Sequence, residues 1–286
     1  YLEEKIESLR APLSSLAKTE GESRFAEAGF LLAQAIQGDN QKFLKKIGIN
    51  FDVFIEEEKF YKRKFLEKTL QFLKEKNLVY EKDGAEWLKT TQFGDDKDKV
   101  VVRADGEYGY YLGDIAYHWD KIKRGYKVIV DIFGADHQGH VLPMKIAMKI
   151  LSFEGKFEVL VTQLVQAKGG GRFSKRAGNI IELETLIDEV GVDVARYFYL
   201  MKSLDTQMEF DMDLAREQSK KNPVYYIQYA HARMASILRK AKIADNPRGA
   251  MSGQLIHPSE LNLIKMLIRW PEVIEDTATD YEAQRV

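Results

Sequence analysis

The sequence predicts an α/β protein in which a parallel sheet follows a mostly helical region and precedes an all-α bundle. Three observations predict it. Between about residues 98 and 166, short Val/Ile/Leu-rich runs alternate with helical stretches, the pattern of strands buried on both faces of a parallel sheet. Before about residue 90, apolar residues recur mostly at helical spacing. Beyond residue 180 the strand patterns stop and helical ones continue. The expected boundaries are 1–95 for the helical region, 96–212 for the sheet domain and 213–286 for the bundle.

FAEAGFLLAQAIQ has helical spacing, and KFYKRKFLEKTLQFLKEKNLV reads as one long amphipathic helix ending near Asn77, a plausible C-cap. The Lys and Glu residues of this region read as a solvated face, and KDGAEWLKT reads as an aromatic turn. DKVVVRADG predicts a strand and turn, and YYLGDIAYHWDKIKRG a helix stopped by Gly125. Strand KVIVDIF, the GADHQGH turn, helix VLPMKIAMKIL and strand FEVLVTQLV follow. Ligands of parallel sheets sit beyond the carboxyl ends of strands, which is where GADHQGH falls. ETLIDEVG and DVARYFYLMKS are helical, with Asp193 a candidate N-cap. LAREQSKKNPVYYIQYAHARMASILRKAKIA and SELNLIKMLIRWPEVIEDTA then form the bundle, split by the Gly/Pro-containing NPRGAMSGQLIHP.

The 286 residues fit two domains with an insertion. An apolar content of 45%, with 15 Phe and 14 Tyr, excludes a disordered chain. A net charge of −1 excludes a globally polycationic nucleic-acid binder but leaves room for a local basic patch. Zero cysteines remove disulfides, thiol nucleophiles and cysteine zinc sites, and no metal-ligand cluster is visible. No apolar run reaches membrane-spanning length and YLEEKIESLR is too charged for a signal peptide, so a cytoplasmic protein with no membrane contact is expected. The start without Met, inside a charged helical pattern, and the stop at YEAQRV lead to the expectation of a fragment of a longer polypeptide.

Four stretches carry candidate chemistry. In GGGRFSKRAGN (169–179), glycines hinge a loop that presents Ser174, Lys175 and Arg176. Such a cationic loop can close over phosphates and stabilise developing charge; a flexible surface loop is the competing reading. His137-Gln138-Gly139-His140 has the H-x-G-H form of an ATP-binding signature, at a strand end. Tyr110 and Asp114 stand four apart, hence on one helix face. In NPVYYIQYAHAR, Tyr226 and Tyr229 are three apart and Arg233 follows. Exposed aromatics can stack on unpaired bases and the cation can meet phosphate; core packing of Tyr225, Tyr226 and Tyr229 is the alternative.

GRFSKRAGN resembles the K-M-S-K loop of class I aminoacyl-tRNA synthetases. The runs FGDDKDKVVVRADG, GDIAYHWDKIKRGY, DIFGADHQGHVLPMKIAMKIL, SKRAGNIIELETLIDEVGVDVARYFYLM and MEFDMDLAREQSKKNPVYYIQYAHARMASILRKA are similar to bacterial-type arginyl-tRNA synthetases. The similarity is near-continuous from about residue 42 onward and thin before it. It implies the second half of a Rossmann-like class I synthetase sheet, a connecting insertion before it and an anticodon-binding bundle after it. It implies an arginine–tRNA ligase that activates arginine with ATP, Mg²⁺ being carried by the ATP, and transfers it to tRNA(Arg); a monomer is expected.

By the same resemblance, Arg172, Ser174, Lys175 and Arg176 are the catalytic loop residues. Tyr110, Asp114 and His137 are the arginine contacts, Asp114 pairing with the guanidinium. Gly134, Val165, Gln166, Ser174 and Lys175 serve ATP, and Tyr226, Tyr229 and Arg233 serve tRNA. Arg172 and Phe173 replace the family's Lys-Met, which keeps a cation and an apolar anchor.

GADHQGH resembles the family's G-A-D-H-H-G-Y segment, so HQGH is a look-alike. The true H-x-G-H is expected upstream, and these residues alone are expected not to activate arginine. Asp136 and His140 are explained as well by capping of the next helix. The rival reading is a non-catalytic tRNA- or RNA-binding fragment or module with an incomplete nucleotide site. Another nucleotidyl-transferring enzyme of similar fold is weaker, because it would not explain YYLGD or NPVYYIQYAHAR.

Overall fold

The structure, a computed structural model, describes residues 6–7, 9, 22–62, 64–168, 182–241 and 255–286. It divides into two compact units, 1–54 and 55–286. In the first, helix α1 (Glu22–Lys46) is followed by a turn that buries Ile47.

In the second unit, α2 (Glu58–Lys62) and α3 (Phe65–Glu75) replace the single helix expected there. The break is at Lys64, which has φ 52°. Phe60 and Phe65 are five residues apart, which on a continuous helix would put them about 140° apart around the axis. With the break, their rings meet at 5.6 Å.

KDGAEWLKT is a hairpin rather than a turn alone. Strands β1 (Val79–Lys82) and β2 (Ala85–Leu88) pair antiparallel around Asp83-Gly84, both at positive φ, the geometry that matches strand twist. β3 (Lys99–Val102) adds to β2, also antiparallel. The first expected strand of the sheet domain therefore belongs to a separate antiparallel sheet.

Helix α4 (Tyr110–Lys123) then packs over this sheet and leads, through Gly125 at φ 87°, to β4 (Val128–Gly134). A 3-10 turn (Ala135–His140), α5 (Val141–Ile150) and β5 (Lys156–Thr162) follow. β4 and β5 are parallel, in register from Val128 opposite Lys156 to Gly134 opposite Thr162. The alternating pattern thus reads out as a β–α–β crossover. One core joins Leu66 and Leu73 of α3, Leu88, Val101, Leu112 and Ile115 of α4, and Ile129, Ile146 and Ile150. Leu73, Leu112 and Ile115 are fully buried, each stabilising by about 1.5–3 kcal/mol.

Strands do not end at residue 180. β6 (Val165–Ala167) pairs in parallel with β7 (Met208–Phe210), a three-residue strand between helices. Helices α6 (Leu183–Val190) and α7 (Val192–Leu200) lie between these strands in the chain, and α7 packs on β7 through Phe198 against Phe210, ring centroids 5.4 Å apart. Gly191, not Asp193, is the N-cap of α7; the Asp193 carboxylate instead accepts a 3.0 Å hydrogen bond from Gln228 Nε2. α8 (Met212–Arg216) is capped by Asp211, and α9 (Pro223–Lys240) by Asn222, whose Oδ1 accepts from Val224 N at 3.0 Å. α10 (Pro258–Asp280) begins with a capping box of His257 and Glu260. No helix among the described residues is long and apolar enough to cross a membrane.

Candidate functional site

Gly109 sets the start of α4. Its N–H donates to Val101 O at 2.9 Å, and a Cβ there would lie 2.8 Å from Val100 O. Only a residue without a side chain lets the helix begin this close to β3. Tyr110 therefore emerges at the first helical position, 83% exposed, with the Arg103 guanidinium 5.7 Å from its ring centroid. One turn later Asp114 is half-buried.

Tyr110, Gly113, Asp114 and Tyr117 of α4 face Ile55, Glu57, Phe60 and Leu66 across a cleft of about 380 Å³. The structure thus brings Tyr110 and Asp114 together and adds a second carboxylate, Glu57. Burial pushes the Asp114 carboxyl above the usual carboxylate range, against the pull of His118 and His140; Asp131 and Glu57 add to the rise. A cleft with two carboxylates, aromatic walls and a glycine floor suits a planar cation.

Beneath the cleft lies a buried polar cluster. His118 Nδ1 is 2.7 Å from the Asp114 backbone oxygen, and His118 Nε2 is 2.7 Å from Asp131 Oδ2. Lys121 Nζ donates to Asp131 Oδ1 at 2.8 Å. Burial alone would raise the Asp131 carboxyl, but the hydrogen bonds and charges of His118 and Lys121 outweigh it and hold the group below its usual range. Tyr111 Oη donates to Pro143 O at 2.8 Å, tying α4 to α5; burial first, then Asp95 and Asp114, pushes its phenol up.

Gly134 ends β4, and His137 lies beyond it on the 3-10 turn, exposed, with Nε2 3.7 Å from Asp136 Oδ2. The His137 ring lies 5.6 Å from that of His140 and is not among the residues lining the cleft. After His118, His140 is the second histidine that favours the ionised form of Asp114. No side chain caps α5: its N-cap His140 makes no cap hydrogen bond. His140 therefore does not cap α5 through its side chain, and Asp136 pairs with His137 instead.

Val165 and Gln166 lie half-buried on β6, opposite Met208 and Glu209. Arg172, Ser174, Lys175 and Arg176 lie outside the described residues. On α9, Tyr225, Tyr226 and Tyr229 are 38%, 53% and 45% exposed, so none of them packs in a core formed by this chain. Arg233 Nη1 donates to Tyr229 Oη at 3.3 Å, so phenol and cation share one face.

Glu57, His118 and Asp131 were not singled out from sequence. Glu57 sits in the run IEEEKF, where nothing distinguishes it from its acidic neighbours. His118 carried a signal: it follows Asp114 by four residues on the same helix face.

The family described as tRNA synthetases class I (R), catalytic domain, matches residues 8–222, and the DALR anticodon binding domain matches residues 227–286. An arginine–tRNA ligase of Syntrophotalea carbinolica is 40% identical over 291 residues, covering 99% of this chain and 52% of its own length. One of Moorella thermoacetica is 44% identical over 254 residues, covering 86% of this chain and 45% of its own length. The chain therefore spans about half the length of these curated relatives. A Campylobacter jejuni structure assigned as an arginyl-tRNA synthetase superposes with a TM-score of 0.80 at 32% identity, over 98% of this chain and 62% of that one. With its larger part matched by one family and the remainder by the other, the chain belongs to the class I tRNA synthetases of the (R) family, a Rossmann-like catalytic region followed by a helical DALR domain.

Proposed function

We propose that this chain is part of an arginine–tRNA ligase, and that the cleft on α4 holds the guanidinium of arginine. The observation that carries the reading is the convergence of Asp114 and Glu57 on one cleft walled by Tyr110, Tyr117 and Phe60. Arginine stays charged and presents a planar fork of donors, which two carboxylates can accept while lysine offers a single point charge. Aromatic faces favour the cation further. His137 and His140, beyond the end of β4, stand where ligands of parallel sheets collect.

The remaining roles follow the family. ATP is the second substrate, with magnesium entering on its phosphates. Gly134, Val165 and Gln166 line its site, and the 172–176 loop, through Arg172, Ser174, Lys175 and Arg176, neutralises charge that develops as pyrophosphate leaves. The exposed pair Tyr229 and Arg233, with Tyr226, contacts tRNA(Arg) through stacking and phosphate pairing. The domain division proposed is 1–95, 96–212 and 213–286, with the sheet of β1, β2 and β3 bridging the first boundary, and the protein acts as a cytoplasmic monomer. In the whole protein, Asp114→Asn removes one charged partner of the guanidinium, which is worth about 1.5–3 kcal/mol. The Michaelis constant for arginine in tRNA-dependent pyrophosphate exchange should rise about 10- to 150-fold. An unchanged value for arginine removes Asp114 from the site.

A further inference from the structure

We propose that His118 is a positioning residue for arginine recognition: clamped between Asp131 of β4 and the Asp114 carbonyl of α4, it fixes the helix over the sheet and places a positive charge one turn behind the Asp114 carboxylate. The inference rests on the reading of the cleft given above.

The hydrogen-bond partners define the state of the ring. The Asp114 backbone oxygen, 2.7 Å from Nδ1, can only accept. Asp131 Oδ2, 2.7 Å from Nε2, belongs to a carboxylate that also accepts from Lys121. Facing two acceptors, the ring is placed to donate from both nitrogens, and the doubly protonated, cationic form is assigned to it. His118 and Asp131 are both almost fully buried, and a buried charge must be balanced nearby.

His118 and Lys121 contribute two positive charges and Asp131 one negative charge, leaving an excess of one positive charge. Asp114 supplies the balancing negative charge when it is ionised. The groups facing Asp114 are Glu57 from the segment before α2, His140 from the 3-10 turn, Asp131 from β4, and Tyr111 and His118 of its own helix. Glu57 and Asp131 oppose ionisation, whereas His118 and His140 favour it, His118 more strongly. The Tyr117 ring, 5.9 Å from the His118 ring, and Phe157, 5.8 Å away, close the remaining sides. The cluster therefore ties the charge of the binding carboxylate to the seating of α4 on β4.

The test uses the whole protein with two neutral replacements. His118→Asn keeps a donor near Nδ1 and His118→Gln keeps one near Nε2. The Michaelis constant for arginine should be raised about tenfold at the acid end of the working pH range and should approach the wild-type value as pH rises and Asp114 re-ionises. The constant for ATP should be unchanged. A loss that is uniform with pH and extends to ATP makes the cluster merely structural and overturns the proposal, as does no change at all. A wild-type measurement needs no variant: arginine titrated calorimetrically near pH 7 in two buffers of different ionisation enthalpy should show no net proton release. Release of a full proton on binding would mean that Asp114 is neutral beforehand, and would overturn the proposal even if neither variant folds. If Asp114→Asn itself leaves arginine unaffected, it is the reading of the cleft that fails; if Asp114→Asn weakens arginine while the His118 variants titrate like wild type, only this inference fails.

Discussion

Gly113 separates the needs of the fold from those of the ligand. It lies inside α4, between Tyr110 and Asp114, and lines the cleft. A glycine within a helix costs about 0.5–1 kcal/mol relative to alanine, so on local grounds alone alanine is the better residue. Space permits it: a Cβ built at Gly113 has only Glu57 Oε1 within contact range, at 3.9 Å. Gly113→Ala should therefore raise unfolding stability by about 0.5–1 kcal/mol in urea titrations. The same methyl would stand between Asp114 and Glu57, where the account seats the guanidinium. Overpacking a fitted site costs about 1–3 kcal/mol, so arginine affinity measured by calorimetry should fall about 5- to 150-fold. A variant that is more stable and binds arginine as wild type does would refute the placement of the ligand. A variant that loses stability would refute the reasoning about the helix.

Two other glycines should behave oppositely. At Gly109 the intruding neighbours are the backbone oxygens of Val100 and Val101, at 2.8 and 3.5 Å; they cannot turn aside, and Gly109→Ala should lose about 1–3 kcal/mol in urea titration. At Gly134 the close atom is Asp136 Oδ1 at 2.7 Å, the end of an exposed side chain, so Gly134→Ala should stay within about 0.5 kcal/mol of wild type. Asp131 yields a pH signature. Its carboxyl is held below its usual value, so its contribution is present above about pH 4 and is lost as pH falls through the folded-state value. The stability gap between wild type and Asp131→Asn, read from urea midpoints, should shrink as pH is lowered from about 7 to 3; a constant gap would contradict the depressed carboxyl.

The crossover from β4 to β5 was legible because both strands are nearly continuous apolar runs and α5 carries a helical period between them. β1, β2 and β7 were not. VYEK and AEWL are four residues long and mix charge with aromatics, and MEF has three residues; such strands are specified by their pairing partners more than by their own pattern. The break at Lys64 was hidden for a related reason: the flanking residues are good helix formers, and the contact between Phe60 and Phe65 decides against a continuous helix. At the site, the four-residue spacing of Tyr110 and Asp114 could be read directly, since helical geometry converts spacing into a shared face. Glu57 could not, because it approaches Asp114 only through the packing of α2 and α3 against α4. The buried partner of His118, Asp131, arrives from β4, so sequence could suggest the histidine but not its charge balance.

The central claim is that the cleft recognises a positively charged guanidinium through Asp114 and Glu57. Citrulline tests it directly, since it has nearly the shape of arginine and carries a neutral urea group. Calorimetric titration of the whole protein with each ligand at the same pH and salt should show arginine binding at least about 100-fold more tightly, because hydrogen bonds to charged groups contribute about 1.5–3 kcal/mol each. Equal affinities for arginine and citrulline would show that charge is not being read, and would contradict the account.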